Sequence, residues 1–438
     1  MGAKERDNYT TMSRPSLRWR FAQIKDNTIY TGKLIIKNIS PLIGSFLLTI
    51  AGRPVNKIGY KKRMLILFAG GIGDVAKRSI VCGYLHEYLS EYDIYHLMPY
   101  DITLPYAKKT IHFDYKRSKV DPKYYFSLIN SLRNIGFSEV VVLLPAWEGF
   151  LVSLGKDICP DRVFRYVEVP PKEFLGVATI FARWFQPHRK VFVDIPLISY
   201  DDKRWEKKYW PSDVAQMVKF ISKVINIINP AAILNNNGVL DFDAAHPDIV
   251  IDPKKEKSYI TKLEYEYHTN LKNTALIGLG SSTATRNWSP KKFAEAAKHL
   301  AGRGLSIAII DHPKDAKLVE EFTLAYGENF LNLGMDADIE QICILMKHAA
   351  LVLSNDTSYV HLAVAMHAPS VCVFGGVPGA NSCYGCKDLN AWVIGDNIEA
   401  VDVLEVNKTM ERVLSYIREN GKTPAREFTS SYLESDLE

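Results

Sequence analysis

Met64-Leu65-Ile66-Leu67-Phe68-Ala69-Gly70-Gly71-Ile72-Gly73-Asp74 is the stretch from which the fold can be read. Its six leading apolar residues form an unbroken run, as a strand buried on both faces requires, and glycines end it. Behind them Ala76, Ile80, Tyr84 and Tyr88 recur every four residues, the spacing of a helix with one apolar face. Strand, glycine turn and helix in that order predict the first unit of a parallel α/β sheet. Further strands are expected at 95–98, 140–144, 164–169 and 191–195. Residues 200–272 are less regular: one helix is expected over 212–227, followed by the turn-rich Asn235-Asn236-Asn237-Gly238.

A second alternating series starts at Thr274, with strands expected at 275–279, 306–310, 351–353, 370–374 and 391–394. Ser289-Pro290 reads as a helix cap followed by proline at the first helical position, with Phe293, Ala296, Ala297 and Leu300 as the apolar face. A last helix is expected over 401–418, and the tail after Gly421 reads as disordered. The series predict an α/β protein of two Rossmann-like, doubly wound parallel-sheet domains facing a cleft. The expected division is a basic extension at 1–63, a first domain at 64–230, a linker at 231–273, a second domain at 274–400, and a helix and tail at 401–438.

The chain has 438 residues, 47% hydrophobic and 24% charged, which excludes disordered, collagen-like and fibre classes. No apolar run reaches the ~18 residues of a spanning helix. The residues after Met1 are polar, without a secretory pattern, and six cysteines make no disulfide scaffold. A reducing cytoplasm is the expected compartment. The net charge of +5 is uneven: residues 1–63 hold 13 Lys or Arg against 3 Asp or Glu, while the remainder holds 41 against 46. Inside the basic segment, residues 39–51 are apolar, with Arg14, Arg18, Arg20, Lys33 and Lys37 on one side and Arg53, Lys57, Lys61, Lys62 and Arg63 on the other. Such a segment can lie on an anionic membrane surface, each basic residue adding ~1 kcal/mol, or dock on the protein with a solvated basic collar. Nucleic acid is not an expected partner, because no recognition motif accompanies the charge.

Three stretches carry chemistry. In the first, Gly71 and Gly73 let backbone N–H groups approach a ligand at the carboxyl end of a strand. The stretch has neither the spacing of a dinucleotide fingerprint nor the Gly-Lys-Ser/Thr of a P-loop. Asp74 can cap the helix there, or act as a general base on a hydroxyl. The second is Ser354-Asn355-Asp356-Thr357-Ser358-Tyr359-Val360-His361. Asp356, Thr357 and Ser358 are all good caps, and the helix they open offers free N–H groups to a phosphate. His361 lies one turn on from Thr357, where it can face the same pocket or be a satisfied core residue. The third is Gly278-Leu279-Gly280-Ser281-Ser282-Thr283-Ala284-Thr285-Arg286-Asn287-Trp288. The Ser281 and Ser282 hydroxyls can cradle a diphosphate and Arg286 can clamp it, unless the loop is a solvated turn.

Together these stretches resemble glycosyltransferase family 9, the heptosyltransferase-like family of the GT-B fold. Arg286-x-Trp288-Ser289-Pro290 is similar to the family's K/R-x-W-P segment. Residues 355–365 resemble its N-D-T/S-G-x-x-H-L-A-A-A signature, and Val373-Phe374-Gly375 the strand end after it. Residues 64–74 resemble its opening strand and G-x-x-G-D turn. Ser358 departs from the family's glycine, 63 residues precede the first strand, and residues 100–272 carry little signature. The resemblance implies an inverting, metal-independent glycosyltransferase that needs no cofactor and takes a nucleotide-sugar, such as ADP-heptose, as co-substrate. The donor would lie on the second domain, held by Arg286, the Asp356-Thr357 turn and His361. The acceptor, a cell-envelope glycan, glycolipid or protein, would lie on the first domain with Asp74 as base. The basic segment would keep the enzyme near the inner face of the membrane. A protein O-glycosyltransferase, a non-hydrolysing sugar-nucleotide epimerase and a silent sugar-nucleotide-binding protein are the rivals.

Asp241-Phe242-Asp243 matches a D-x-D metal motif but lies in the irregular middle region, and Asp336-Ala337-Asp338 reads as a helix start. Cys383-Tyr384-Gly385-Cys386 lacks a second ligand pair, so Cys383 and Cys386 are weak metal candidates. Cys82, Cys159, Cys343 and Cys372 fall in apolar surroundings and are expected in the core.

Overall fold

The computed structural model describes residues 62–143, 149–158, 160–167, 192–196, 213–232, 246–281, 283–375 and 388–422. The apolar segment at 39–51, the Asn235–Gly238 turn, Asp241-Phe242-Asp243, Cys159 and the tail after residue 422 lie outside them.

The first sheet contains β1 (Lys62–Leu67), β2 (Tyr92–Met98), β3 (Lys109–His112), β4 (Glu139–Val142), β5 (Arg162–Val167) and β6 (Phe192–Pro196). They pair in the order β3-β2-β1-β4-β5-β6, all parallel. Met64, Leu65, Ile66 and Leu67 are buried, as the unbroken apolar run requires of a central strand covered on both faces. The helices between are α1 (Ile72–Arg78), α2 (Ile80–Tyr88), α3 (Tyr115–Val120), α4 (Pro122–Ile135) and α5 (Gly149–Asp157). After β6 come α6 (Asp213–Ile228) and α7 (Pro253–Tyr267).

The second sheet contains β7 (Thr274–Gly278), β8 (Ser306–Ile309), β9 (Leu331–Asn332), β10 (Leu351–Asn355), β11 (Ser370–Gly375) and β12 (Asn390–Gly395). Its order is β12-β11-β10-β7-β8-β9, again all parallel. Numbered from its own first strand, this repeats the arrangement of the first sheet. Its helices are α8 (Pro290–Ala301), α9 (Ala316–Tyr326), α10 (Ile339–His348), α11 (Ser358–Ala365) and the last helix α12 (Val403–Asn420). In both sheets the order reverses beside the first strand, and the chemistry-bearing turns leave the carboxyl ends of β1, β7 and β10 there.

Some elements differ from expectation. The apolar series from Ala76 to Tyr88 is two helices, parted at Ser79. The Ser79 hydroxyl donates to Ala76 O at 2.6 Å and accepts the Asp248 N–H at 2.7 Å, so it serves a distant segment at the break. Pro290 opens α8 as expected, but Ser289 makes no side-chain capping bond. Asp338 caps α10, accepting the Gln341 N–H at 2.8 Å, while Gln341 accepts the Asp338 N–H in return. Cys82, Cys343 and Cys372 are buried.

One apolar cluster joins the two sheets. It runs from Met64, Phe68, Val75 and Ile80 through Ile249 and Leu263 to Leu276, Ile344, Leu362 and Ala365. Salt bridges from Lys255 to Glu340 (2.6 Å) and from Lys347 to Glu256 (2.9 Å) tie α7 to α10. Among the described residues, no helix is long and apolar enough to cross a membrane.

Candidate functional site

The first turn begins where β1 ends. Gly70 has φ +103, a conformation that strains any residue with a Cβ, and its carbonyl accepts the Tyr100 hydroxyl at 2.8 Å. Asp74 stands in the first turn of α1. Its Oδ2 accepts the Gly71 N–H at 3.0 Å, so the capping expectation is met, and that N–H is already engaged. Its Oδ1 lies 3.0 Å from Lys77 Nζ and 3.9 Å from Arg78 Nη2. Burial works to raise the Asp74 carboxyl. The charges of Lys77 and Arg78, with the bonds from Lys77 and Gly71, outweigh it and hold the group below the usual carboxylate value. Asp74 is therefore ionised at neutral pH, the state in which a base can take a proton. Its side chain remains 36% exposed, so a substrate can reach it.

Gly73 is buried against the other sheet. A Cβ there would lie 2.7 Å from His361 Cδ2 and 3.0 Å from Ser358 Cα. A side chain larger than hydrogen would push α1 away from the start of α11. The glycine thus serves the approach of two helices, and His361 is buried with its ring edge turned to it.

The second turn is capped by Thr357, whose side-chain oxygen accepts the Tyr359 N–H at 3.1 Å. Asp356 precedes it, pairing with Arg286 at 3.5 Å. Burial pushes the Asp356 carboxyl up, and Arg286 and Lys77 pull it back only in part. Lys77 thus acts on a carboxylate of each sheet. Tyr359 packs under the turn, its hydroxyl donating to Ile310 O at 2.7 Å and its ring filling the space beside Gly278.

The third stretch hangs on buried polar struts. Asn355, fully buried at the end of β10, accepts the Trp288 N–H at 2.9 Å and donates to Leu279 O at 2.6 Å. Asp311, 1% exposed at the end of β8, accepts the N–H groups of Leu279 (2.6 Å) and Gly280 (2.8 Å). Burial pushes its carboxyl up to about 6 despite those bonds. Trp288 is fully buried, packs edge-on to Phe293, and donates from Nε1 to Val401 O at 3.2 Å. Arg286, two residues before this anchor, keeps a half-exposed guanidinium. The Ser281 hydroxyl closes a local turn with Thr283, donating to its carbonyl at 2.5 Å. Ser282, Cys383 and Cys386 lie outside the described residues.

The structure brings Asp74, Gly73, Ser358 and His361 into one neighbourhood and joins Asp356 to Arg286. Asn355, Asp311, Lys77 and Tyr100 are additions that the motifs did not single out. Lys77 was legible as the i+3 partner of Asp74 on a helix. Asp311 was legible as the polar residue directly after an apolar strand run, where ligand-side residues gather.

Residues 231–381 match the family model Glycosyltransferase family 9 (heptosyltransferase), the family that the motifs resemble. The opening strand and Gly-Asp turn lie outside that match. Lipooligosaccharide heptosyltransferase 2 of Haemophilus influenzae is 23% identical over 148 residues, 31% of this chain and 41% of that protein. Lipopolysaccharide heptosyltransferase 2 of Escherichia coli is 26% identical over 94 residues, 20% of this chain and 27% of its own. The matched stretch thus spans less than half the length of these curated relatives. The structure of Escherichia coli ADP-heptose lps heptosyltransferase II superposes with a TM-score of 0.58 at 13% identity, covering 81% of this chain and 99% of that one. A glycosyl transferase family 9 structure from Veillonella parvula gives 0.58 at 14% identity, covering 82% and 91%. Two doubly wound parallel sheets in this arrangement are the GT-B fold that the sequence led us to expect.

Proposed function

We propose that this chain is an inverting, metal-independent glycosyltransferase that moves a sugar, with ADP-heptose as the first candidate donor, onto a lipopolysaccharide-type glycan acceptor. One observation carries the reading: the turn bearing Asp74 and the turn bearing Asp356 come from different sheets and meet, with Gly73 against Ser358 and His361. A base on one domain then stands beside a diphosphate-binding turn on the other, as sugar transfer between two substrates requires. The family match at 231–381, which covers the Arg286 and Asp356 segments, supports the donor class.

In this reading Asp74 takes the proton of the acceptor hydroxyl as the hydroxyl oxygen attacks the anomeric carbon. Attack comes from the face opposite the diphosphate, the bond from that carbon to the diphosphate oxygen breaks, and the configuration inverts. The nucleoside diphosphate leaves with the bonding electron pair. Arg286 and the positive dipole end at the start of α11 stabilise its charge, the part that a divalent cation takes in other transferases. A carboxylate held below its usual value is a weak base, so the proton moves as the new bond forms and not before it. Ser281 and Thr357 would serve the diphosphate side, and Gly71 the acceptor side. Residues 1–63 hold the enzyme at the anionic inner face of the membrane. Loss of these residues should abolish sedimentation with anionic vesicles.

The test is a thermal-shift series of the full chain with ADP-, GDP-, UDP- and CMP-sugars, followed by transfer assays. One nucleotide class should raise the midpoint, with about 2.7 kcal/mol of stabilisation at 100 times its dissociation constant. Asp74→Asn should keep that shift and lose transfer by roughly 10²–10⁴-fold. No shift with any sugar nucleotide, or Asp74→Asn transferring at the wild-type rate, refutes the reading.

A further inference from the structure

Lys77 is 5% exposed, and an ammonium group that deep is costly unless charge surrounds it. The two oxygens of Asp74 are divided between two donors. Oδ2 takes the Gly71 N–H, and Oδ1 takes Lys77 Nζ at 3.0 Å, which fixes the plane of the carboxylate. Arg78 is a weaker partner at 3.9 Å, because its Nη1 donates to Ala69 O at 3.0 Å and ties the helix to the strand end. One residue before Asp74 on the same short helix, Gly73 touches Ser358, two residues from Asp356. Across that contact Asp356 pairs with Arg286. Two ion pairs, Asp74 with Lys77 and Asp356 with Arg286, therefore stand on either side of that contact, and the charge of Lys77 reaches Asp356.

We propose that Lys77 is a positioning residue for the glycosyl transfer above: it holds the Asp74 carboxylate ionised and oriented, and links it to the Asp356 turn so that base and donor site assemble as one charged unit. The inference rests on that functional reading. Among the described residues, the groups facing Asp74 are Lys77 and Arg78 from α1 and the Tyr100 hydroxyl from the loop after β2. From the second domain, His361 lies against the neighbouring Gly73, and Asp356 feels the charge of Lys77. Both arginine and tyrosine remain in a Lys77 variant, so the change isolates one charge. The electrostatics agree with the geometry: Lys77 is the largest of the attractions lowering Asp74 and is also felt by Asp356.

The experiment follows the Asp74 carboxyl by carbon NMR in full-length protein labelled at aspartate, assigned by its loss in Asp74→Asn. Lys77→Gln should raise the Asp74 titration by about one pH unit, and Lys77→Arg should restore it. Asp356→Asn should lower it, because Lys77 then has one carboxylate fewer to serve; this second variant decides the matter even where Lys77→Gln fails to fold. The acid limb of the kcat/KM profile should move with the NMR titration. An Asp74 titration unmoved in either variant overturns the inference. So does a kcat/KM that falls by one factor at every pH, the mark of a merely structural lysine. A wild-type protein that transfers no sugar refutes the function instead, while the titration still reads the ion pair, so the two failures are told apart.

Discussion

The two turns that meet across the domains are held in different ways. The donor-side stretch of residues 279–288 hangs on Asn355 and Asp311, both buried and both bonded to its backbone. Among the described residues, the backbone of the Gly70–Asp74 turn takes side-chain bonds only from less buried groups, Asp74 at the Gly71 N–H and Tyr100 at the Gly70 carbonyl. It is shaped by a positive-φ glycine, by Tyr100 at its edge and by the charges of Lys77 and Arg78. Buried struts fix a backbone and resist substitution, because removing one strands its partners away from water. A turn shaped by glycines and ion pairs is more adjustable, as befits the side that admits a bulky acceptor.

That contrast can be broken most directly at Asn355. Asn355→Ala strands Leu279 O and the Trp288 N–H, each worth ~1–3 kcal/mol, so the urea-derived unfolding free energy should fall by about 3 kcal/mol or more. Tyr100→Phe, on the opposite turn, should cost under about 1 kcal/mol; equal losses would erase the distinction. Gly73→Ala tests the junction itself. Its methyl would press on Ser358 backbone and the His361 ring, costing about 2 kcal/mol and lowering kcat as α1 moves from α11.

Asp311 sharpens the contrast through pH. Its folded-state value, about 6, lies above the ordinary 3.8, so the native state binds the extra proton. Its contribution is fully present below 3.8 and is lost as pH rises to about 6, with a slope of at most ~1.4 kcal/mol per pH unit. Asp311→Asn should flatten stability over that window, measured as urea midpoints against pH. The smallest effect is expected at Arg286. With a half-exposed side chain, Arg286→Gln should change stability by less than about 0.5 kcal/mol while weakening donor affinity tenfold or more by calorimetry.

How legible was all this in the sequence? The central strands were, because burial on both faces leaves runs such as Met64–Leu67 without polar interruption. Of the edge strands, those expected at 191–195 and 391–394 were, but two others were not: Lys109–His112 holds one strongly apolar residue, and Leu331–Asn332 is only two residues long. The helix Pro253–Tyr267 escaped because only Leu263 is buried, so no apolar stripe marks it. Asp74, Asp356, Thr357 and Arg286 could be named because their turns have local signatures. The strut role of Asn355 and Asp311 was hidden for a physical reason. Their partners are backbone groups 76 and 32 residues away, and a backbone group has no identity in the sequence.

The apolar cluster shared by the two sheets has a consequence for how the molecule comes apart. Domains joined by small polar interfaces melt separately, whereas a joint hydrophobic interior links their unfolding. Phe68 and Val75 bury against the same cluster as Leu362 and Ala365, so neither half keeps its interior dry alone. Heating should therefore produce a single calorimetric transition. A sugar nucleotide gripping only the second sheet would raise the melting point of the first along with it.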